Sequence, residues 1–466
     1  MTSPDPFQGL FFWGFLIVFG LVMYAVSPRA KDEDGFFRGT GTNGRPASPW
    51  ALTMSVFISW IFAKSVTNAA NLGAAYGIVG GLAYATYWLS IPFAGWVIHR
   101  LRTRQGATGL VSFLVGKYGR FAALAFSVAI LVRLYNEVWS NTAVVGGYYG
   151  ETGSFGFIGA ALLFTAAVLL YSLKGGLRSS IFTDVIQAVV FVLFLALVLA
   201  WVVPTHGAAR LLTEGTFTLD AGADLLLVAL LQVLSYPFHD PVLTDRGFIT
   251  HEKTMLRAFV AAGVLGFVAI LAFSLVGVHA RLEGIAAHGN VPAQVARAMG
   301  VTGFFAMAVV MISSAASTLD STFTALSKSV AHELPLLAGR TPGRRAIRNG
   351  IVTMALFALL GNLPMMAGTD ILKATTLSGT MVIGLAPVFL LSRWVGYSPL
   401  SFHLAFWTGM VLGVLLALGA IPPSWAIGTG RYGLLLGTNL YGLALCTAGF
   451  LAPLAFGGRR AAAQGA

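Results

Sequence analysis

Of the 466 residues, 57% are apolar and only 10% are charged, whereas an ordinary globular domain carries about 25% charge. That composition excludes a soluble protein, and the apolar residues fall into about thirteen stretches long enough to cross a hydrocarbon core of roughly 30 Å. The net charge of +12 would point to nucleic acid in a soluble chain, but here most Lys and Arg stand in short connections between apolar runs, so membrane lipid is the expected surrounding and nucleic acid is not a partner.

In chain order the expected spans are 8–27, 48–72, 78–98, 121–145, 155–172, 179–204, 223–243, 256–278, 297–331, 345–363, 370–392, 401–421 and 431–453. The opening run from Leu10 to Tyr24 lacks a cationic leader and a small-residue cleavage site, so it is expected to be a retained span. The one cysteine, Cys446, lies in an apolar run, which leaves no disulfide framework and no Cys-rich metal site.

The second span carries Lys64, Ser65, Thr67, Asn68 and Asn71 at its centre. A charge there costs several kcal/mol unless it faces protein or water, so a discontinuous helix facing a central cavity is expected, with a polar packing seam as the alternative. In the fourth span Arg133 and Glu137 stand four residues apart, a spacing that lets them neutralise each other on one helix face. The sixth span places Asp184 about a turn above the basic Lys174 and Arg178, either as a cation or proton site or as half of an interhelical pair.

After the seventh span, SYPFHDPVLTDRGFIT brings Pro237, His239, Asp240, Asp245 and Arg246 together. The helix is expected to end near the first proline and to lead into a cytoplasmic hinge whose charges form gating salt bridges. The ninth span contains MISSAASTLDSTFTALSKS, in which Ser314, Ser317, Ser321 and Thr324 share a stripe. These hydroxyls offer hard oxygens to a monovalent cation, or they permit close helix packing, or both. Tyr87, Tyr135 and Tyr236 are candidate walls for a solute cavity, with Ser65, Asn68 and Asn71 as its polar groups.

Assigning alternate connections to opposite sides puts 22 Lys and Arg on one face and four on the other (Arg210, Arg281, Arg297 and Arg431), leaving Lys64, Arg133 and Lys373 within spans. By the positive-inside rule the rich face is cytoplasmic, which places the N-terminus outside and the C-terminus inside, in a bacterial inner or plasma membrane. No connection is long enough for a soluble domain, so residues 1–466 form a single membrane domain. Neither a nucleotide-binding loop nor a GxSxG, HExxH or other coherent catalytic constellation is present, so no enzyme is expected.

The polar stretch Ala63–Asn71, the segment GGLRSSIFTDVIQ, the stretch DPVLTDR and the segment SSAASTLDS, in this order, resemble the sodium:solute symporter family over nearly the whole chain. The resemblance implies an all-α polytopic fold like that of sodium-coupled amino-acid transporters. Its core would be two inverted five-helix repeats, 48–204 and 223–392, with one helix before (8–27) and two after (401–453). It further implies a sodium site in which Ala63, Val66 and Ser314 offer backbone carbonyls and Ser317 and Thr318 hydroxyls, with Asp184 as a second cation or coupling site. Lys64 departs from the family pattern: it either attracts an anionic solute or replaces sodium in part, making transport proton-coupled or facilitative. The expected activity is sodium symport of a small organic solute by alternating access, with a weak lean to an organic anion. No organic cofactor is called for, a monomer suffices, and a non-transporting solute sensor is the rival function.

Overall fold

The structure is a computed structural model that describes residues 6–41, 44–286, 289–340, 345–364 and 378–455. Those residues are helical throughout, without a strand. Among the described residues, seven helices are long and apolar enough to cross a membrane, or eight when one bent pair is taken as a single span. The long elements are α1 (Pro6–Val26), the pair α2 (Pro49–Ser59) and α3 (Ala63–Tyr76), α4 (Ser90–Gln105), α5 (Arg120–Tyr149), α6 (Phe155–His206), α7 (Ala223–Val233), α8 (Glu252–Leu282), α9 (Gly300–Lys328), α10 (Ala346–Leu360), α12 (Pro399–Ala417) and α13 (Gly433–Ala455), with the short α11 at Leu385–Leu390. Much of the expected span 370–392, including Lys373, lies outside the described residues.

Three interruptions set the architecture. α6 runs 52 residues but turns at Gly176, whose φ of 54° is a left-handed conformation that a side chain would strain, so one helix supplies two expected spans. α2 and α3 meet at 58° across Trp60–Phe62. α7 stops at Val233 and passes through 3₁₀ turns and the short helix Pro241–Thr244 before α8. Pro237 and Pro241, which lack an amide donor, sit at the first positions of those short pieces.

Burial follows composition. The α9 segment carries the hydroxyl stripe and is the innermost span, with 78% of its most apolar window buried against 33% for α1. α6 shows both solvents in one helix: Phe182, Val189, Leu193 and Leu197 are exposed on the lipid side, whereas Ser180, Thr183, Asp184 and Gln187 are buried on the other. α3 packs closely on α8 because a Cβ at Gly277 would collide with the Ala70 carbonyl, and one at Gly73 with the Ser274 carbonyl.

Candidate functional site

The break between α2 and α3 frees backbone oxygens at a definite place. In a continuous helix the Ser59 carbonyl would accept from the Ala63 amide and the Ile61 carbonyl from the Ser65 amide. Here the Ala63 amide donates to Asn141 Oδ1 at 3.1 Å and the Ser65 amide to the Phe62 carbonyl at 2.9 Å. The two orphaned oxygens face Thr318 on α9, whose Oγ1 lies 3.4 Å from Ser59 O, 3.5 Å from Ile61 O and 3.1 Å from Ser314 O. Oxygens around a hard cation with metal–oxygen distances of about 2.4 Å stand ~3.4 Å from one another, and the three distances from Thr318 Oγ1 lie in that range.

One residue earlier, Ser317 donates to Asp184 Oδ1 at 2.5 Å. Its hydroxyl oxygen keeps lone pairs for a second partner. Asp184 Oδ2 accepts from Ser55 Oγ at 2.6 Å and from Arg246 Nη2 at 3.0 Å. The same guanidinium donates through Nε to Ser55 Oγ at 2.8 Å and through Nη2 to Ser321 Oγ at 2.8 Å. Asp320, buried beside them, accepts from Ser180 at 2.7 Å and Thr183 at 3.0 Å. A buried ion pair holds only if its remaining lone pairs and protons are also met, and the serines of α2, α6 and α9 do that here.

A second buried charge group lies nearby. Glu137 pairs with both Lys64 and Arg133, and Arg133 Nη2 reaches Asp240 Oδ2 at 3.2 Å. Asp240 also accepts from Trp60 Nε1 at 3.0 Å and caps the short helix through the Val242 amide at 3.0 Å. The side chains of all four are about 1% exposed, and their two positive and two negative charges balance.

The family model for the sodium:solute symporter family matches residues 41–314, more than half of the chain. The chain belongs to that family. The chain is 25% identical over 156 residues to the human sodium/myo-inositol cotransporter, 24% over 186 residues to the sheep sodium/glucose cotransporter 1, and 23% over 158 residues to the urea active transporter of Saccharomyces cerevisiae. These alignments cover 32%, 38% and 33% of the chain but only 21%, 27% and 21% of the relatives. In fold it is similar to a Na+-coupled sialic acid symporter in a substrate-bound outward-open state (TM-score 0.70, 16% identity, 97% of this chain and 98% of that one). It is also similar to a nucleobase-cation-symport-1 family transporter in a closed conformation with bromovinylhydantoin bound (TM-score 0.57, 11% identity, 92% and 95%). The family is one of transporters, not enzymes, and the fold of these neighbours fits an inverted repeat with alternating access.

Within the structure, the sequence-predicted residues divide. Ser314, Ser317 and Thr318 are brought to the α2–α3 break, but the carbonyls facing Thr318 come from Ser59 and Ile61, not from Ala63 and Val66. Ala63 and Val66 lie beyond the break in the first turn of α3, where the Ala63 carbonyl accepts from Thr67 Oγ1. The polar residues Lys64–Asn68 are therefore helical, and the unwound piece precedes them.

Asn68 and Ser65 share Tyr84 OH, at 3.2 and 3.3 Å, and Tyr87 and Tyr236 stack edge-on at 6.0 Å, so these four predicted residues do converge. Asn71 does not join them: it donates to the Gly289 carbonyl and accepts the Val291 amide, tying down the loop before residues 291–298. Tyr135 faces α10, bonding Leu360 O at 3.1 Å. The segment from His239 to Arg246, expected as a cytoplasmic hinge, is an interior piece in which His239, Asp240 and Arg246 are buried. Arg246 is thus a site residue and not a loop cation. Asp245 pairs with Lys328 at 2.7 Å. Sequence reading missed Ser55 and Gln232, single polar residues within apolar runs, and Asn141, the middle of the polar triplet Ser140–Thr142.

Proposed function

We propose that this protein imports a small organic solute together with sodium, the ion being held by Thr318, Ser317 and the carbonyls of Ser59, Ile61 and Ser314. The observation that carries this is the pair of orphaned carbonyls turned toward Thr318. Sodium there would draw the α2–α3 break against α9 and so favour one of two alternating-access states, in which repeats 48–204 and 223–392 move against each other. Asp184 is the coupling acid beside that ion. The charge bias of the connections supports an N-terminus outside and a C-terminus inside.

For the solute, we favour a neutral polar molecule. Both Lys64 and Arg133 face internal acids, which removes the basis for an anion, and the converging groups are hydroxyls, amides and aromatic faces: Tyr84, Tyr87, Asn68, Ser65 and Gln232. Three relatives are named for myo-inositol, glucose and urea, all neutral and rich in hydrogen-bonding groups. Because Lys64 pairs with Glu137 instead of lying at Thr318, the reading in which it replaces sodium has less support than sodium coupling. Uptake of radiolabelled polyols, sugars and urea into proteoliposomes, with and without an inward sodium gradient, tests the proposal. Accumulation that follows the gradient supports it, and equal accumulation under a proton gradient alone sinks it.

A further inference from the structure

On the cation-poor face, far in sequence from the residues above, α6 and α8 finish side by side. His206 is the last residue of α6, His279 sits in the last turn of α8, and Glu283 follows as its C-cap. One ligand-type atom from each of the three lies within 4.8 Å of the other two. His206 Nε2 is 3.1 Å from Glu283 Oε1, and the two imidazole rings are 5.2 Å apart.

Two ring nitrogens here are unsatisfied. His279 Nδ1 is buried without a hydrogen bond in a residue only 2% exposed, and His206 Nε2, also without one, has the Glu283 carboxylate 3.1 Å away. An unpaired polar group at such a place costs about 1–3 kcal/mol. The neighbouring cation, Arg281, is taken up by Glu214 at 3.0 Å and by the carbonyls of Ala74 and Ala75. Trp201 covers His279 edge-on at 5.4 Å and gives the group an apolar wall.

We propose that His206, His279 and Glu283 form a binding site for a zinc-class divalent transition metal that staples the ends of α6 and α8 together. Two imidazoles and one carboxylate are a borderline donor set that suits zinc and its neighbours, whereas sodium, calcium and magnesium prefer all-oxygen sites. Ligands at about 2.1 Å from a tetrahedral zinc stand ~3.4 Å apart; His206 Nε2 and Glu283 Oε1 already stand at 3.1 Å, and the His279 nitrogen has to close in from within 4.8 Å by side-chain rotation. A fourth position, beside the partly exposed Glu283, would hold water. Such a site is distinct from the sodium group on α9 and does not depend on which solute is carried.

The test uses the full chain, purified without a histidine tag and stripped with chelator, with Zn2+ alone as probe. Thermal unfolding is expected to shift upward with a saturable, one-to-one dependence on Zn2+, and Co2+ is expected to give the visible absorption of a tetrahedral site. E283Q, which alters a half-exposed side chain and leaves folding intact, should weaken Zn2+ affinity at least roughly tenfold, and H206Q/H279Q should abolish the shift. Absence of a saturable Zn2+ shift in the wild type overturns the proposal. So does an unchanged affinity in E283Q, or an equal shift with Mg2+.

Discussion

Arg246 Nη2 lies 3.0 Å from Asp184 Oδ2, and neither side chain is more than 1% exposed. The two come from a broken helix and from α6, and Ser55 of α2 and Ser321 of α9 donate to or accept from the same pair. One guanidinium thus joins four elements at the place where the break, the hydroxyl stripe and Asp184 meet. Its role is that of a fixed internal cation beside the site proposed for a mobile one.

R246Q should therefore destabilise the protein by about 3–5 kcal/mol, the usual result of leaving a buried partner uncompensated. The double variant R246Q/D184N, which removes both charges, should recover a large part of that loss. Thermal unfolding of the two single variants and the double in detergent gives the interaction energy directly. Additive losses would show that the pair is not coupled.

T318A deletes the hydroxyl that faces Ser59 and Ile61. The sodium concentration for half-maximal uptake should rise about tenfold or more, corresponding to at least ~1.4 kcal/mol of lost ion binding, while T318S, which keeps the oxygen, should stay close to wild type. S317A should weaken sodium response as well and should also disturb Asp184, because Ser317 donates to that carboxylate. Sodium titrations of uptake and of thermal stability check both. An unaltered sodium response in T318A would remove Thr318 from the ion site.

For Lys64 the charge count decides the expectation. K64Q leaves Glu137 and Asp240 facing Arg133 alone, one negative charge in excess in a buried group. It should lower stability by about 3–5 kcal/mol yet leave the half-saturating sodium concentration within about twofold. K64Q/E137Q restores the balance and should regain much of the stability. If K64Q instead strengthened sodium dependence, Lys64 would be standing in for the ion.

Much of this organisation is legible in the chain itself. Apolar length marks the seven or eight membrane-crossing helices among the described residues, and a lysine with four other polar residues inside one apolar stretch announces a helix that cannot face lipid. The position of the break is not legible, because it depends on Asn141 capturing the Ala63 amide across 78 positions of sequence. Arg246 reads as a loop cation since it stands in a polar run beside Asp245, and only the fold turns the two apart, toward Asp184 and Lys328. Asn71 and Tyr135 show the same limit: a polar or aromatic residue inside a span must meet a partner, but periodicity does not name which one.

Tyr87 OH donates to Gln232 Oε1 at 2.8 Å, and Gln232 Nε2 in turn reaches Asn439 Oδ1 at 3.1 Å. This chain of amides and hydroxyls links the turn Thr86–Leu89 before α4 with α7 and α13. A neutral polar solute entering between α3 and α7 would take over the Tyr87–Gln232 hydrogen bond. Y87F should then raise the half-saturating solute concentration roughly tenfold, since losing one good hydrogen bond costs about 0.5–1.5 kcal/mol and more where its partner stays buried and unpaired. The sodium dependence should stay as in wild type, because Tyr87 does not touch the oxygens around Thr318. Uptake kinetics over a range of solute concentrations at fixed sodium separate the two parameters. A change confined to the maximal rate would place Tyr87 in the moving parts and outside the solute site.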